Sequence, residues 1–102
     1  MNWQQRIVAT IDTGFDGYLT LPLYMINRLG LRPAGYRQAI LGDGNRVVFN
    51  LFRARVVWVS KTREVPVLQV DGDPLVGMAL LDGNRVIMNV VKDGQVRIEN
   101  LP

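Results

Sequence analysis

The sequence predicts an all-β domain, mainly strands with one or two short helices. Three observations carry that expectation. Apolar, β-branched residues come in short runs, and those runs are separated by Asp-Gly, Gly-Asn and Asp-Pro turn signals. Only one segment carries helical spacing together with helix start and stop residues. The chain has 102 residues, enough for one core over 1–102 but not for two lobes.

Arg6 to Ile11 reads as a short apolar strand ending at a turn, and Tyr18 to Leu21 as a second. Pro22 stands where a helix favours its first residue. Leu23, Ile26 and Leu29 follow at helical spacing, and Gly30 suits the left-handed position past the helix end. Tyr36 to Leu41 and Arg46 to Ser60 read as the arms of a hairpin around Gly42-Asp43-Gly44-Asn45. The second arm exceeds the roughly ten residues of an ordinary strand, so a bend or bulge is expected in it. Lys61-Thr62-Arg63 is expected to turn into a strand from Glu64 to Val70. Asp71 to Pro74 is a turn before Leu75-Val76-Gly77 and a short helical segment, Met78 to Leu81. Arg85 to Val91 and Gln95 to Leu101 form a closing hairpin. An echo of Val8-Ala9-Thr10-Ile11-Asp12 in Val67-Leu68-Gln69-Val70-Asp71 suits a fold with two similar halves.

Composition narrows the chemistry. Hydrophobic residues make up 48% and charged residues 21%, which is ordinary for a globular chain. No apolar run approaches the roughly 18 residues that span a bilayer, so no membrane partner is expected. The start, Met1 to Arg6, lacks the pattern of a secretory signal, so the expected location is the cytoplasm. There is no cysteine and no histidine. Thiol nucleophiles, Ser-His-Asp triads and His-ligated zinc fall away together. Ser60 is the only serine and has no histidine to activate it. Carboxylate acid–base chemistry is the first remaining candidate for an enzyme. Nothing indicates a metal or an organic cofactor. The net charge is +3 and ten of the twelve basic residues are arginine, with no block of consecutive basic residues.

Asp12-Thr13-Gly14 follows an apolar strand directly. A carboxylate placed there is held by a rigid strand yet exposed at a loop, and Gly14 lets other backbone come close to it. Alone, the tripeptide is a common strand-to-loop turn. Its surroundings are more specific. Ile11 to Pro22 resembles the active-site loop and following strand of retropepsin-like aspartic proteases, and of their short bacterial members above all. Those carry Asp-Thr-Gly-Phe-x-Gly and then Leu-x-Leu-Pro. Leu75 to Leu81 is similar to the family's second signature, two hydrophobic residues and a glycine leading into a short helix. The hairpin tip at Leu41, Gly42, Asp43, Gly44 and Asn45 stands in the place of the flap. Order and spacing match over most of the chain.

The resemblance implies a closed β-barrel, one lobe per chain, acting as an aspartic endopeptidase on a peptide or protein substrate. In that family two aspartates, one per subunit, share one proton, because two carboxylates in contact cannot both ionise. This chain has one Asp-Thr-Gly, so the active form would be a homodimer with Asp12 of each copy activating a water. Thr13 would brace the two loops and Gly14 would give the substrate backbone room. Residues 41–45 of the flap, with Leu75, Val76 and Gly77, would meet substrate, although core packing is an equal reading for Leu75 and Val76. Met78 stands where viral members carry an interface arginine, so that ion pair is absent. Two other readings use the same residues. One is a noncatalytic dimeric peptide-binding module. The other is a basic β-barrel binding nucleic acid, resting on a pI of 9.8 and on Arg53 and Arg55 sharing a strand face. Trp58, three residues from Arg55, points to the opposite face, which weakens a stacking platform, and no nucleic acid is the expected partner.

Overall fold

The computed structural model describes residues 4–102. Strand β1 (Thr10–Ile11) and strand β2 (Leu19–Leu21) lead into helix α1 (Leu23–Leu29). Strands β3 (Arg32–Ile40), β4 (Arg46–Trp58) and β5 (Lys61–Gln69) form a meander. Strand β6 (Leu75–Val76) enters helix α2 (Met78–Leu81), and β7 (Asn84–Met88) with β8 (Val96–Asn100) completes the chain. The architecture is all-β with two short helices.

Six strands form one sheet in the order β1-β6-β2-β5-β4-β3, and β7-β8 is a separate two-stranded ladder. The expected closed barrel is corrected here to an open sheet. Among the described residues β1 and β3 are its two free edges, and β7-β8 joins neither. Closure needs strands long enough to accumulate tilt and stagger. At one edge β1 and β6 are two residues each, too short to curl back toward β3.

The four strands β1-β6-β2-β5 repeat one unit twice. β1, its turn and β2 lead into α1; β5, its turn and β6 lead into α2. β1 pairs parallel with β6, β5 pairs parallel with β2, and β2 and β6 meet antiparallel between them. The Asp12 amide donates to the Val76 carbonyl at 2.9 Å, and the Val70 amide donates to the Leu21 carbonyl at 3.1 Å. The counterpart of Asp12 is therefore Val70. The sequence echo, which aligned Asp12 with Asp71, was one residue out of step.

Local chemistry explains the ends of α1. Pro22 occupies the capping position in extended conformation (φ −72°, ψ 157°), one residue before the first helical residue. Gly30 is left-handed at φ 61° and donates its amide to the Asn27 carbonyl, while Leu31 donates to Ile26. The helix buries Ile26 against Leu19, Leu21, Val65, Val67, Val76, Leu80 and Leu81.

The ladder of β1 is shorter than expected. Residues 6–9 alternate exposed and half-buried, and Ile7 and Ala9 pack on the core without joining the sheet. Val8 is 91% exposed.

Strand β4 is long because it serves two neighbours. Residues 46–53 pair with β3 and residues 51–58 with β5, so only the middle is paired on both sides. The register break lies in β3, between Pro33 and Gly35, and not in the long arm. The β4–β5 turn is Val59-Ser60, at φ 47° and 69°, rather than the expected Lys61 to Arg63. Trp58 pairs directly with Lys61. A two-residue hairpin turn of this kind normally carries Asn-Gly, so its position has no sequence signal.

Side chains also change face along β4. Phe52, Ala54, Val56 and Trp58 pack on the core, whereas the hairpin end half-buries Val47, Phe49 and Leu51 on the other face. A compact monomer of this mass would expose about 5,800 Å². This chain exposes 7756 Å². The excess includes Met88, Val90, Val91, Val96 and Leu101 near the C-terminal hairpin.

Left-handed backbone at a β-branched residue costs free energy that Asn and Gly avoid. Replacing Val59-Ser60 by Asn-Gly is expected to raise unfolding stability by about 1 kcal/mol. Urea denaturation of the double variant beside the parent measures it.

Candidate active site

Asp12 lies one residue past β1, and its neighbours hold it there by backbone bonds. Its amide donates to Val76, as above, and its carbonyl accepts from the Phe15 amide at 3.1 Å. The Gly14 amide donates to Asp12 Oδ1 at 2.9 Å, closing a turn in which the carboxylate folds back on its own loop. A side chain at residue 14 would start 3.2 Å from that oxygen. Asp12 is half-buried as a residue, and its Oδ2 has no hydrogen-bond partner among the described residues. Thr13 and Gly14 are exposed.

The loop is fastened to the second signature. Phe15 and Gly17 carbonyls accept from the Met78 and Ala79 amides at 2.8 and 3.0 Å, and Tyr18 accepts from Gly77 at 3.0 Å. Those amides begin α2, where a helix has unpaired donors to offer. Gly77 is buried where the two segments touch. A Cβ there would collide with the Gly17 and Phe15 carbonyl oxygens and with the Phe15 ring. The same ring lies 2.5 Å from where a Cβ on Gly17 would sit. One phenyl ring thus occupies the space left by two missing side chains. Nearby, the buried Thr20 hydroxyl accepts from the Leu75 amide at 3.0 Å, tying β2 to β6.

The structure therefore brings Asp12, Thr13 and Gly14 together with Leu75, Val76 and Gly77. Val76 and Gly77 are buried and Leu75 half-buried, so they position the loop from below. Residues 41–45 form the exposed tip of the β3–β4 hairpin. Asp43 accepts from the Asn45 amide at 3.0 Å and from the Asn45 side chain at 2.8 Å, and Leu41 donates to Asn45 at 2.8 Å. Gly44, at φ 85°, supplies the left-handed residue of that turn.

A shallow open cleft separates the hairpin from the loop. Asp16, Tyr18 and Leu19 form one wall, Arg37 and Leu51 the other, and Pro66, Leu68 and Ala79 line the rest with Gly17. The tip residues and Asp12 do not line it. Arg37 and Asp16 face this space without forming an ion pair. Sequence reasoning missed Arg37, Leu51, Pro66 and Leu68 because the register of β4 with β5 joins them: Leu51 stands opposite Leu68 and Arg53 opposite Pro66. The alternation Val47, Phe49, Leu51 was the available signal.

Compared with known proteins, the chain matches no family model, no curated protein and no solved structure.

Forcing an extra methyl into packed backbone costs about 1–3 kcal/mol. Gly77→Ala is expected to lose that much stability in urea denaturation. Gly42→Ala, with open space around it, is expected to stay within about 0.5 kcal/mol of the parent.

Proposed function

We propose that this chain is one protomer of a homodimeric aspartic endopeptidase of the retropepsin-like kind. The observation that supports it most is the anchoring of Asp12. An Asx turn orients the carboxylate, the Val76 pairing fixes its backbone, and a second oxygen stays free for a partner.

In the dimer two such carboxylates meet across a twofold axis and hold one proton between them. The ionised carboxylate takes a proton from a water, whose oxygen bonds to the scissile carbonyl carbon. The protonated carboxyl donates to the carbonyl oxygen. As the C–N bond breaks, the carboxyl that took the water proton passes it to the leaving nitrogen, and the other carboxylate takes a hydroxyl proton from the collapsing tetrahedral diol. The β3–β4 hairpin closes over the peptide and excludes water. No histidine, cysteine or serine is needed, which agrees with the residues this chain has.

The surface supports the assembly. A standard interface removes about 800 Å² from each partner. The exposed excess exceeds that, and much of it is apolar. On the β7–β8 hairpin, the Val86–Ile98 pair packs on the core while the Met88–Val96 pair, on the same face, remains exposed. Residues 6–9, which join no strand of the sheet, provide a second segment for pairing with another chain.

Two outcomes follow. Wild type should cut a mixed peptide library, and Asp12→Asn should abolish every cut. Cleavage that persists in Asp12→Asn would refute the mechanism, and binding without any cleavage would favour a noncatalytic module. Met88→Glu places a charge on the uncovered hairpin face. It should weaken dimerisation at least about tenfold, as charges in interface cores do. Sedimentation velocity reads the dimer, and specific activity should fall with it on dilution.

A further inference from the structure

The β3–β4 ribbon carries a charged face that the reaction itself does not use. Arg32 stands directly opposite Arg53, and Arg37 directly opposite Phe49. Phe49, Leu51, Arg53 and Arg55 alternate along β4 and so point to one side. Arg32, Arg37, Arg53 and Arg55 therefore share a face. It is the face of the cleft, because Arg37, Leu51, Pro66 and Leu68 line that cleft together. At about 3.4 Å per residue the face runs about 20 Å from Arg37 to Arg55.

Its charges are poorly balanced. Glu64 stands opposite Arg55 and pairs with Arg53 at 3.7 Å. Arg32, Arg37 and Arg55 have no ion-pair partner among the described residues. The Arg32–Arg53 juxtaposition is one that folding stability alone disfavours. An acidic ligand relieves it.

We infer that this arginine face selects polypeptide substrates bearing acidic residues beside the cleavage site, an inference that rests on the endopeptidase reading. Arg53 and Arg55 are about 7 Å apart, which matches every second side chain of an extended peptide. The adjoining cleft is lined by Leu51 and Leu68, so apolar residues are accepted next to the acidic ones. A peptide offers that mixture. A nucleic acid strand presents a phosphate at every step and no apolar side chain for Leu51 and Leu68 to receive. Tyr36, Phe52 and Trp58 lie on the opposite face, and Phe49 is half-buried, so the arginines lack an open stacking platform.

Two fluorogenic peptides with the same apolar centre, flanked by glutamates or by lysines, test this. Wild type should show a KM lower by about five- to tenfold for the glutamate peptide at low salt, with kcat little changed, since several exposed ion pairs each contribute a small factor. The difference should fade at 1 M salt, where the screening length is about 3 Å. Arg37→Glu should erase or invert the preference, and Arg55→Gln should reduce it. Binding of the same peptides to Asp12→Asn, read by fluorescence anisotropy, should show the same order. Acid-preferring binding with no cleavage by wild type would sink the endopeptidase reading and leave the acidic selectivity standing. Cleavage or binding indifferent to flank charge, or unchanged in Arg37→Glu, overturns the inference. So does displacement of the glutamate peptide by single-stranded RNA at lower concentration than by the peptide itself.

Discussion

The structure depends on a small set of backbone hydrogen bonds made across one glycine. Asp12 reaches Val76, and the first amides of α2 reach back to Phe15 and Gly17. The two segments are separated by more than sixty residues of sequence, yet their main chains touch only because residue 77 has no side chain. Without that contact β1 would lose its one strand partner among the described residues, and the Asp12 turn would be a free loop. Catalytic carboxylates work when position costs nothing at the moment of reaction. For the catalytic role proposed for Asp12, that position would come from backbone and from a phenyl ring, not from other charged groups.

That explains which features could be read from the sequence. α1 was legible because Pro22 and Gly30 act locally, each through its own φ. The hairpin tip was legible because Asp43, Gly44 and Asn45 make their turn among themselves. The link between the two signatures could be suspected from resemblance, but the Gly77 contact needed coordinates. The Val59-Ser60 turn left no trace because its residues are poor at the conformation they adopt. Strand pairing imposed it from outside. The barrel failed for a related reason: closure depends on strand length and stagger, and the sequence marks where strands stop far better than how many residues are paired. The cleft was hidden most deeply, since its lining comes from four separate elements aligned by register.

Strand β4 shows how one segment can serve three needs. Its C-terminal half gives even-numbered side chains to the core. Its N-terminal half leaves the body and carries the hairpin. Its odd-numbered side chains run as a single stripe, apolar beside the cleft and then cationic beyond it. The changeover at residues 51–53, where both neighbours pair with β4, is the stiffest part of the ribbon. A hairpin anchored there can move at its tip while the arginines near its base keep their spacing. In the proposed protease, recognition of flanking charge and closure over the scissile bond would then be mechanically separate tasks.

The last link joins stability to catalysis. The fully buried apolar cluster is small for the surface the chain exposes, and the apolar C-terminal hairpin is only half covered by its own body. Burial in a second copy would remove apolar area at roughly 25 cal/mol per Å², offset by the cost of association. A chain that contributes one carboxylate to a two-carboxylate site gains the missing group in the same event that covers the hairpin. In the proposed homodimer, folding surplus and catalytic competence would be tied to one equilibrium: dilution would remove both, and a protease built this way would be silent until enough of its own chain had accumulated.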